Sequence, residues 1–467
     1  MSSTSHDEPG VVPGLPSDAG PSPLGQSVPL PSSGGVPPES SRPLLRHPDF
    51  LRFWGAQAVS QFGTHVSALA LPLIAATTLA ASPFETGLLA ALGWLPFLLV
   101  GLFAGVLVDR WPRRPVMIAA DVGRAAIFAV IPAAWLLNAL TIEVLYAVAL
   151  LAGTLTVFFD VAYLSYLPAL VERRQLVDGN SRLEATASAA QIVGPGLGGV
   201  LVRVLGGPFA LVVDAASFVV SGALLWRIKS PEPARTPAAE RSGVWTEIGE
   251  GLSVVRRSEV LRALVFASAT VQVAGFAFLA VYVLFMTRDL GLDAGEVGLV
   301  LATGGVGALA GSLVAGPARA RFGQGPTIVG AMFLFGATGL LVPLAVLAPR
   351  CALPLVVASE FLQWMAIVAY DVNAISLRQA IVPDRLAGRV NGTVRFLVWG
   401  LRPIGSLLGG VLGGAIGLAG TLVVGELGML VAFAWLLLSP LRSLREAVPI
   451  PDPGSWQTSP AAEGAPS

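Results

Sequence analysis

Three ionisable residues, Glu360, Arg402 and Glu426, stand near the middle of long apolar runs. A charge in hydrocarbon is costly and must be paired or wetted, so such residues mark places where protons or polar ligands are handled. Two readings of Glu360 stay open. Its carboxyl could take up and release a proton as its surroundings change, or it could hold a permanent ion pair with Arg402. Asp160 and Asp371 lie within reach of loop arginines, which allows either a place in that charge network or proton carriage. Asp121 and Arg124, at i, i+3, read as a structural pair, and Asp214, about six residues into its run, as structural too. Glu360, Glu426 and Asp371 are therefore the proton-handling candidates.

Polar residues also recur at helical spacing, which lipid-facing helices avoid. Gln57, Gln61 and His65 sit at i, i+4, i+8 with Thr64 beside them; Thr156, Asp160 and Tyr163 form a second stripe, and Ser268 and Gln272 a third. Glu360, Gln363, Trp364 and Asp371 share a face to within a turn's drift, and Arg395, Trp399 and Arg402 stand at i, i+4, i+7. Contact with a polar ligand in a cavity is expected of Gln57, Gln61, His65, Gln272, Gln363, Trp364, Trp399 and Arg402. For Gln272 a hydrogen bond between helices competes with that role, and for His65 plain packing does. One cysteine and three scattered histidines offer no metal or haem site, so no cofactor is expected. No His-Glu-x-x-His, nucleophile motif or phosphate-binding Gly-x-x-x-x-Gly-Lys loop is present, which argues against an enzyme.

The elements that carry these residues follow from composition. The chain is 54% hydrophobic and 12% charged, with mean hydropathy +0.73, whereas soluble domains carry about 25% charged residues. It reads as an all-α protein solvated by lipid, not a nucleic-acid binder. Twelve apolar segments, each long enough to cross ~30 Å as a helix, are expected at 51–80, 84–108, 115–138, 142–168, 183–203, 208–228, 262–286, 295–317, 326–348, 352–379, 392–416 and 419–440. Residues 1–43 and 446–467, rich in Pro, Ser and Gly, read as disordered tails. Basic residues concentrate in the tails and in alternate loops; only Arg203, Arg288 and Arg350 face the other way, while Arg124 and Arg402 fall inside spans. Both termini are therefore expected in the cytoplasm. The central loop, 229–261, separates a six-helix half at 44–228 from another at 262–445. Trp245, Ile248, Leu252 and Val255 make part of this loop amphipathic, either as a helix on the membrane surface or as a polar linker.

The halves repeat at a constant offset of 211 residues. Glu85 and Glu296, Gly105 and Gly316, Arg110 and Arg321, Pro132 and Pro343, Asp160 and Asp371, Gly194 and Gly405 all obey it. Parallel repeats about an axis along the membrane normal place a site between the halves and let them rock around it.

Two motifs carry a resemblance to the major facilitator superfamily over nearly all of residues 45–445. Gly105-Val-Leu-Val-Asp109-Arg110-Trp111-Pro112-Arg113-Arg114 is similar to the superfamily's loop signature, and Gly194-Pro195-Gly196-Leu197-Gly198-Gly199 to the Gly-Pro-x-x-Gly-Gly motif of its proton-coupled drug exporters. Val213-Asp214-Ala-Ala-Ser217-Phe218, Gly388-Arg389-Val390-Asn391 and Phe396-Leu-Val-Trp399-Gly400 resemble the branch containing enterobactin and macrolide exporters. Departures are the missing arginine of span 4 and, in the second loop copy, Ala320 and Gln324 in place of an acid and a base. The resemblance implies twelve transmembrane helices and a cytoplasmic gate of Gly105, Asp109, Arg110, Arg113 and Asp160, although the arginines also set topology. Gly194, Pro195, Gly198 and Gly199 form a helix-packing motif. It further implies a monomer in the cell membrane exporting a bulky small molecule by proton antiport. An importer or uniporter on the same fold is the alternative, with a membrane receptor or intramembrane enzyme further off.

Overall fold

The computed structural model describes residues 44–101, 108, 111–230, 232 and 244–445. The two tails, and Gly105, Asp109 and Arg110 of the expected gate, lie outside the described residues. Among those residues the secondary structure is helical, without a strand. The N-terminal half contains α1 (Pro48–Leu73), α2 (Pro83–Leu99), α3 (Arg113–Leu136), α4 (Ile142–Leu170), α5 (Leu176–Leu205) and α6 (Gly207–Trp226). The linker helix α7 (Val244–Arg257) follows. The C-terminal half contains α8 (Glu259–Arg288), α9 (Ala294–Phe322), α10 (Gln324–Gly339), α11 (Ala352–Ile381), α12 (Asp384–Trp399) and α13 (Arg402–Leu437).

Among the described residues, ten helical stretches are long and apolar enough to cross a membrane. Two features depart from the twelve segments expected. α2 is described only as far as Leu99, a shorter apolar helix, and α13 holds two arms divided at Gly417, where φ is 77° and ψ 170°. A side chain is strained at that φ, so glycine makes the break possible.

The offset of 211 residues reappears in the backbone. Ser82 caps α2 and Asp293 caps α9, each in a reciprocal capping box with the glutamate three residues on, Glu85 and Glu296. α3 begins at Arg113 and α10 at Gln324; α4 ends at Leu170 and α11 at Ile381. Gly206 (φ 82°) turns the chain between α5 and α6 where Gly417 turns it within α13. The same breaks thus recur at matching places, at Gly206 and Gly417 with the same residue and at the helix ends with different ones.

Each half packs internally, α1 on α5 and α6 and α3 on α4 and α6 in one, α8 on α13 and α11 on α9 and α10 in the other. Between halves, α2 meets α13 and α5 meets α9. These two contacts are twins, and glycine makes both. A Cβ on Gly87 would lie 2.6 Å from the Gly410 Cα, and one on Gly199 would lie 2.8 Å from the Gly298 Cα. The helices approach this closely only because no Cβ intervenes. Both contacts lie toward the face that carries the α1–α2 turn, here the distal face; the terminal face carries Leu44.

At the terminal face the linker's first residues are held by two carboxylates. Asp49 Oδ2 accepts from the Ser230 N–H at 2.9 Å and the Ser230 hydroxyl at 2.6 Å. Glu232 accepts from the main-chain N–H groups of Arg113 (3.0 Å) and Arg114 (2.7 Å), where the start of α3 favours an anion. α7 packs on α12 and α8 with Val254 and Val255 buried.

Candidate functional site

Burial forces the N-terminal half to satisfy its charges locally. Arg124 bonds Asp121 at 2.5 Å, both are buried, and the guanidinium lies 4.3 Å from the Phe159 ring centroid and 4.2 Å from that of Phe218. Asp214 is fully buried; it accepts from Ser67 of α1 and, at 3.1 Å, from Ser217. The expected structural roles fit these geometries. Removing one partner of a buried pair leaves a charge uncompensated, at about 3–5 kcal/mol. Asp121→Leu should therefore lower the thermal midpoint of detergent-solubilised protein sharply, and the double change Asp121→Leu, Arg124→Met should restore much of it. A double variant no more stable than the single would show that the pair is not the cause.

A cavity of about 450 Å³ lies between the halves. Its polar lining is Thr64, His65 and Ser67 of α1, Thr86 of α2, Thr156 of α4 and Tyr282 of α8. Trp94, Phe128, Phe218 and Leu301 are among its apolar walls. A mostly apolar space with a few convergent polar groups is the usual form of a small-molecule site.

Behind one wall lies a carboxyl cluster. The Tyr282 hydroxyl donates to Glu360 Oε2 at 2.8 Å, and Trp364 Nε1 donates to Glu360 Oε1 at 2.9 Å. Glu426 is fully buried, with neither carboxyl oxygen hydrogen-bonded among the described residues. Its carboxyl crowds Gly339, where a Cβ would fall 2.1 Å away, and it is close enough to Glu360 and Tyr282 to interact electrostatically with both. The ion pair considered between Glu360 and Arg402 does not form. Arg402 sits instead in a cage of rings, 4.3 Å from the Trp94 centroid, 4.4 Å from Trp399 and 5.0 Å from Phe276. Gln272, its amide oxygen turned inward, accepts from Arg402 Nε at 2.8 Å.

The residues expected around a cavity divide accordingly. His65 lines it and also packs on Gly194, where a Cβ would meet the His65 Cβ at 2.4 Å, so its two readings coexist. Gln272, Trp399 and Arg402 belong to the cage, and Trp364 to the carboxyl cluster. Gln363 donates to Ser359 at 3.0 Å, and Gln57 is buried with its Oε1 unpartnered among the described residues. Gln61 lines a separate depression with Tyr163 and Glu184. Asp371 is within electrostatic reach of Arg378, and half-buried Asp160 of Tyr163. The Nε of Arg113 is buried without a hydrogen-bond partner among the described residues. Gly198 packs on Val66, Gly199 on Gly298, and Pro195 lines the cavity. Sequence reasoning passed over Tyr282, Trp94 and Phe218, because isolated aromatic residues in apolar runs look like ordinary packing.

The family described as transmembrane secretion effector matches residues 40–461. The multidrug efflux pump Tap of Mycolicibacterium fortuitum is 30% identical over 367 residues, covering 75% of this chain and 85% of that one. Tap of Mycobacterium tuberculosis is 29% identical over 419 residues, 86% and 95% of the two chains. Among solved structures, a bacterial homologue of the iron transporter ferroportin, in an inward-facing state, superposes with TM-score 0.69 at 16% identity, over 85% of this chain and 99% of that one. These relatives are transporters, not enzymes, and the match spans both repeats. The chain is a multi-pass membrane transporter belonging to the major facilitator superfamily.

Proposed function

We propose that this transporter is a proton-driven exporter of a bulky, partly apolar small molecule, working by alternating access. One observation carries it: the buried Glu360 carboxyl adjoins the cavity between the halves through Tyr282, and the buried, unpartnered Glu426 lies within electrostatic reach of both. An ionised carboxylate without a partner in such a place is costly, so exposure to water on one side and burial on the next is a means of taking up a proton and giving it back. Efflux pumps among the relatives support the direction. The reading includes twelve crossings, made up by α2 and the two arms of α13, in two six-helix halves. Both termini lie in the cytoplasm of a cell membrane, as the placement of arginine implies, and the protein works as a monomer.

Everted vesicles holding an acid interior test it directly. Adding an exported compound should draw protons out of the lumen and dissipate the gradient; uptake of the compound with the gradient untouched would make the protein a uniporter. The cytoplasmic gate follows from the unequal loops. Asp109→Asn should abolish transport at normal membrane levels while Arg321→Gln has the smaller effect, and equal losses in a vesicle assay would reduce both loops to topology signals.

A further inference from the structure

The cavity exists because the two repeats differ in what they place at matching positions. In the C-terminal half the space between helices is filled by Tyr282, Glu360, Trp364 and Glu426, folded over Gly304 and Gly339. At the same positions 211 residues earlier stand Leu71, Ala149, Gly153, Ala215, Gly93 and Phe128. All of these but Ala215 line the cavity. The cavity is the counterpart of the carboxyl cluster, emptied of its charges and its indole.

No Asp, Glu, Lys or Arg occurs in the described lining, yet charge lies directly behind it. Two lining rings already hold a guanidinium, Trp94 that of Arg402 at 4.3 Å and Phe218 that of Arg124 at 4.2 Å. A ring face normally attracts a cation. Here a second cation meets like charge across a weakly screening interior. Each guanidinium also draws π density toward itself; Phe218 is buried against Phe128, which leaves half-buried Trp94 as the ring suited to stacking on a neutral, electron-rich partner.

The hydroxyl protons in the lining are committed as well. Thr64 donates to the Ser60 carbonyl (2.9 Å), Thr86 to Pro83 (2.8 Å) and Thr156 to Ala152 (2.8 Å). Ser67 donates to Asp214, and Tyr282 to Glu360. A hydroxyl whose proton is given away still has lone pairs to accept with. The five hydroxyls therefore present acceptors to a ligand's donors, and His65 is the lining side chain that can itself donate.

We propose that the cavity takes uncharged, electron-rich aromatic molecules bearing O–H or N–H donors, of the phenol or arylamine class, and rejects permanent cations. This deepens the transport reading above and rests on it, with Trp94 as the stacking wall.

Three pyrenes that share one ring system test it: 1-hydroxypyrene, 1-methoxypyrene and the 1-pyrenylmethyl trimethylammonium cation. Binding to the purified full-length chain in nanodiscs is read by energy transfer from tryptophan at about pH 6, where a phenol is neutral. The phenol should bind roughly tenfold tighter than the methyl ether, as expected when a lost donor leaves acceptors unpaired, and tighter still than the cation. Thr156→Trp and Leu301→Trp, which fill the cavity from opposite halves, should each weaken phenol binding by about tenfold or more, which separates the site from lipid partition. Arg402→Met should restore much of the cation's affinity and leave the phenol-to-ether ratio in place. A cation or an ether that binds as well as the phenol overturns the proposal, as does phenol binding indifferent to both filling changes. So does a cation preference unaltered by Arg402→Met. Binding needs no gradient, so a failure of uphill export with these affinities intact would count against the exporter reading alone.

Discussion

Glu360→Gln is expected to leave substrate binding and exchange intact while uphill, pH-driven export is lost. The replacement keeps size and most of the local bonding. A glutamine oxygen can still accept from Trp364 Nε1, and the Tyr282 hydroxyl can turn to accept from the new amide, so the cluster behind the cavity wall stays assembled. What disappears is the ability to carry a proton. If Glu360 held only a fixed structural bond, an isosteric amide would cost little and active export would continue at its usual rate; that result would move coupling to Glu426 or Asp371. Exchange of labelled substrate across proteoliposomes, measured beside pH-driven accumulation, separates the two steps. Loss of exchange as well would mean that Glu360 serves binding or folding, not coupling.

The second large effect is expected at the glycine crossings of the distal face. A Cβ on Gly87 or Gly199 would lie about 1 Å inside the ~3.5–4 Å optimum for carbon contacts. Backbone on the opposite half cannot yield as a side chain would. Overpacking of this kind costs ~1–3 kcal/mol, which shifts a two-state balance roughly 5- to 150-fold. Gly199→Val and Gly87→Val should therefore hold the halves apart at that face and cut export, without loss of folded protein. Replacing the single native cysteine, Cys351→Ser, and placing Thr86→Cys in the cavity wall allows the opening to be read by an impermeant thiol reagent. Faster labelling from the distal side is expected in both variants, and none in Gly330→Val, where a Cβ meets open space. Unchanged labelling with normal export would show that the glycine contacts do not form the closure.

The fold was legible in the sequence because its signals are one-dimensional. Apolar run length marks the helices, and the constant offset of 211 residues marks the repeat; the capping boxes at Ser82 and Asp293 show that even helix starts were encoded at matching positions. The site was legible in part. Glu360 and Glu426 stood out as charges in hydrocarbon, but Glu360 takes Tyr282 and Trp364 as partners instead of Arg402, since azimuth about a helix axis is not fixed by distance along it. The polar stripes divide for the same reason, Thr64, His65 and Thr156 reaching the cavity while their stripe neighbours point elsewhere. Of eight residues expected at the cavity His65 alone lines it, because the cavity walls are mostly small and apolar. Ala149 and Gly153 make that space by lacking bulk, and missing bulk carries no signal until the repeat shows Glu360 and Trp364 in the matching places.

The clasp on residues 229–232 has a mechanical consequence. Glu232 is fastened to the start of α3 and α7 is seated on α12 and α8, so eleven residues, 233–243, join these two anchor points. A chain of that length reaches at most ~40 Å when drawn straight. That length sets a ceiling on how far apart the two anchor points can move, and so on how wide the terminal face can gape. Lengthening it should leave the closed form untouched, whereas shortening it by several residues should first penalise the widest opening, and so the largest cargo.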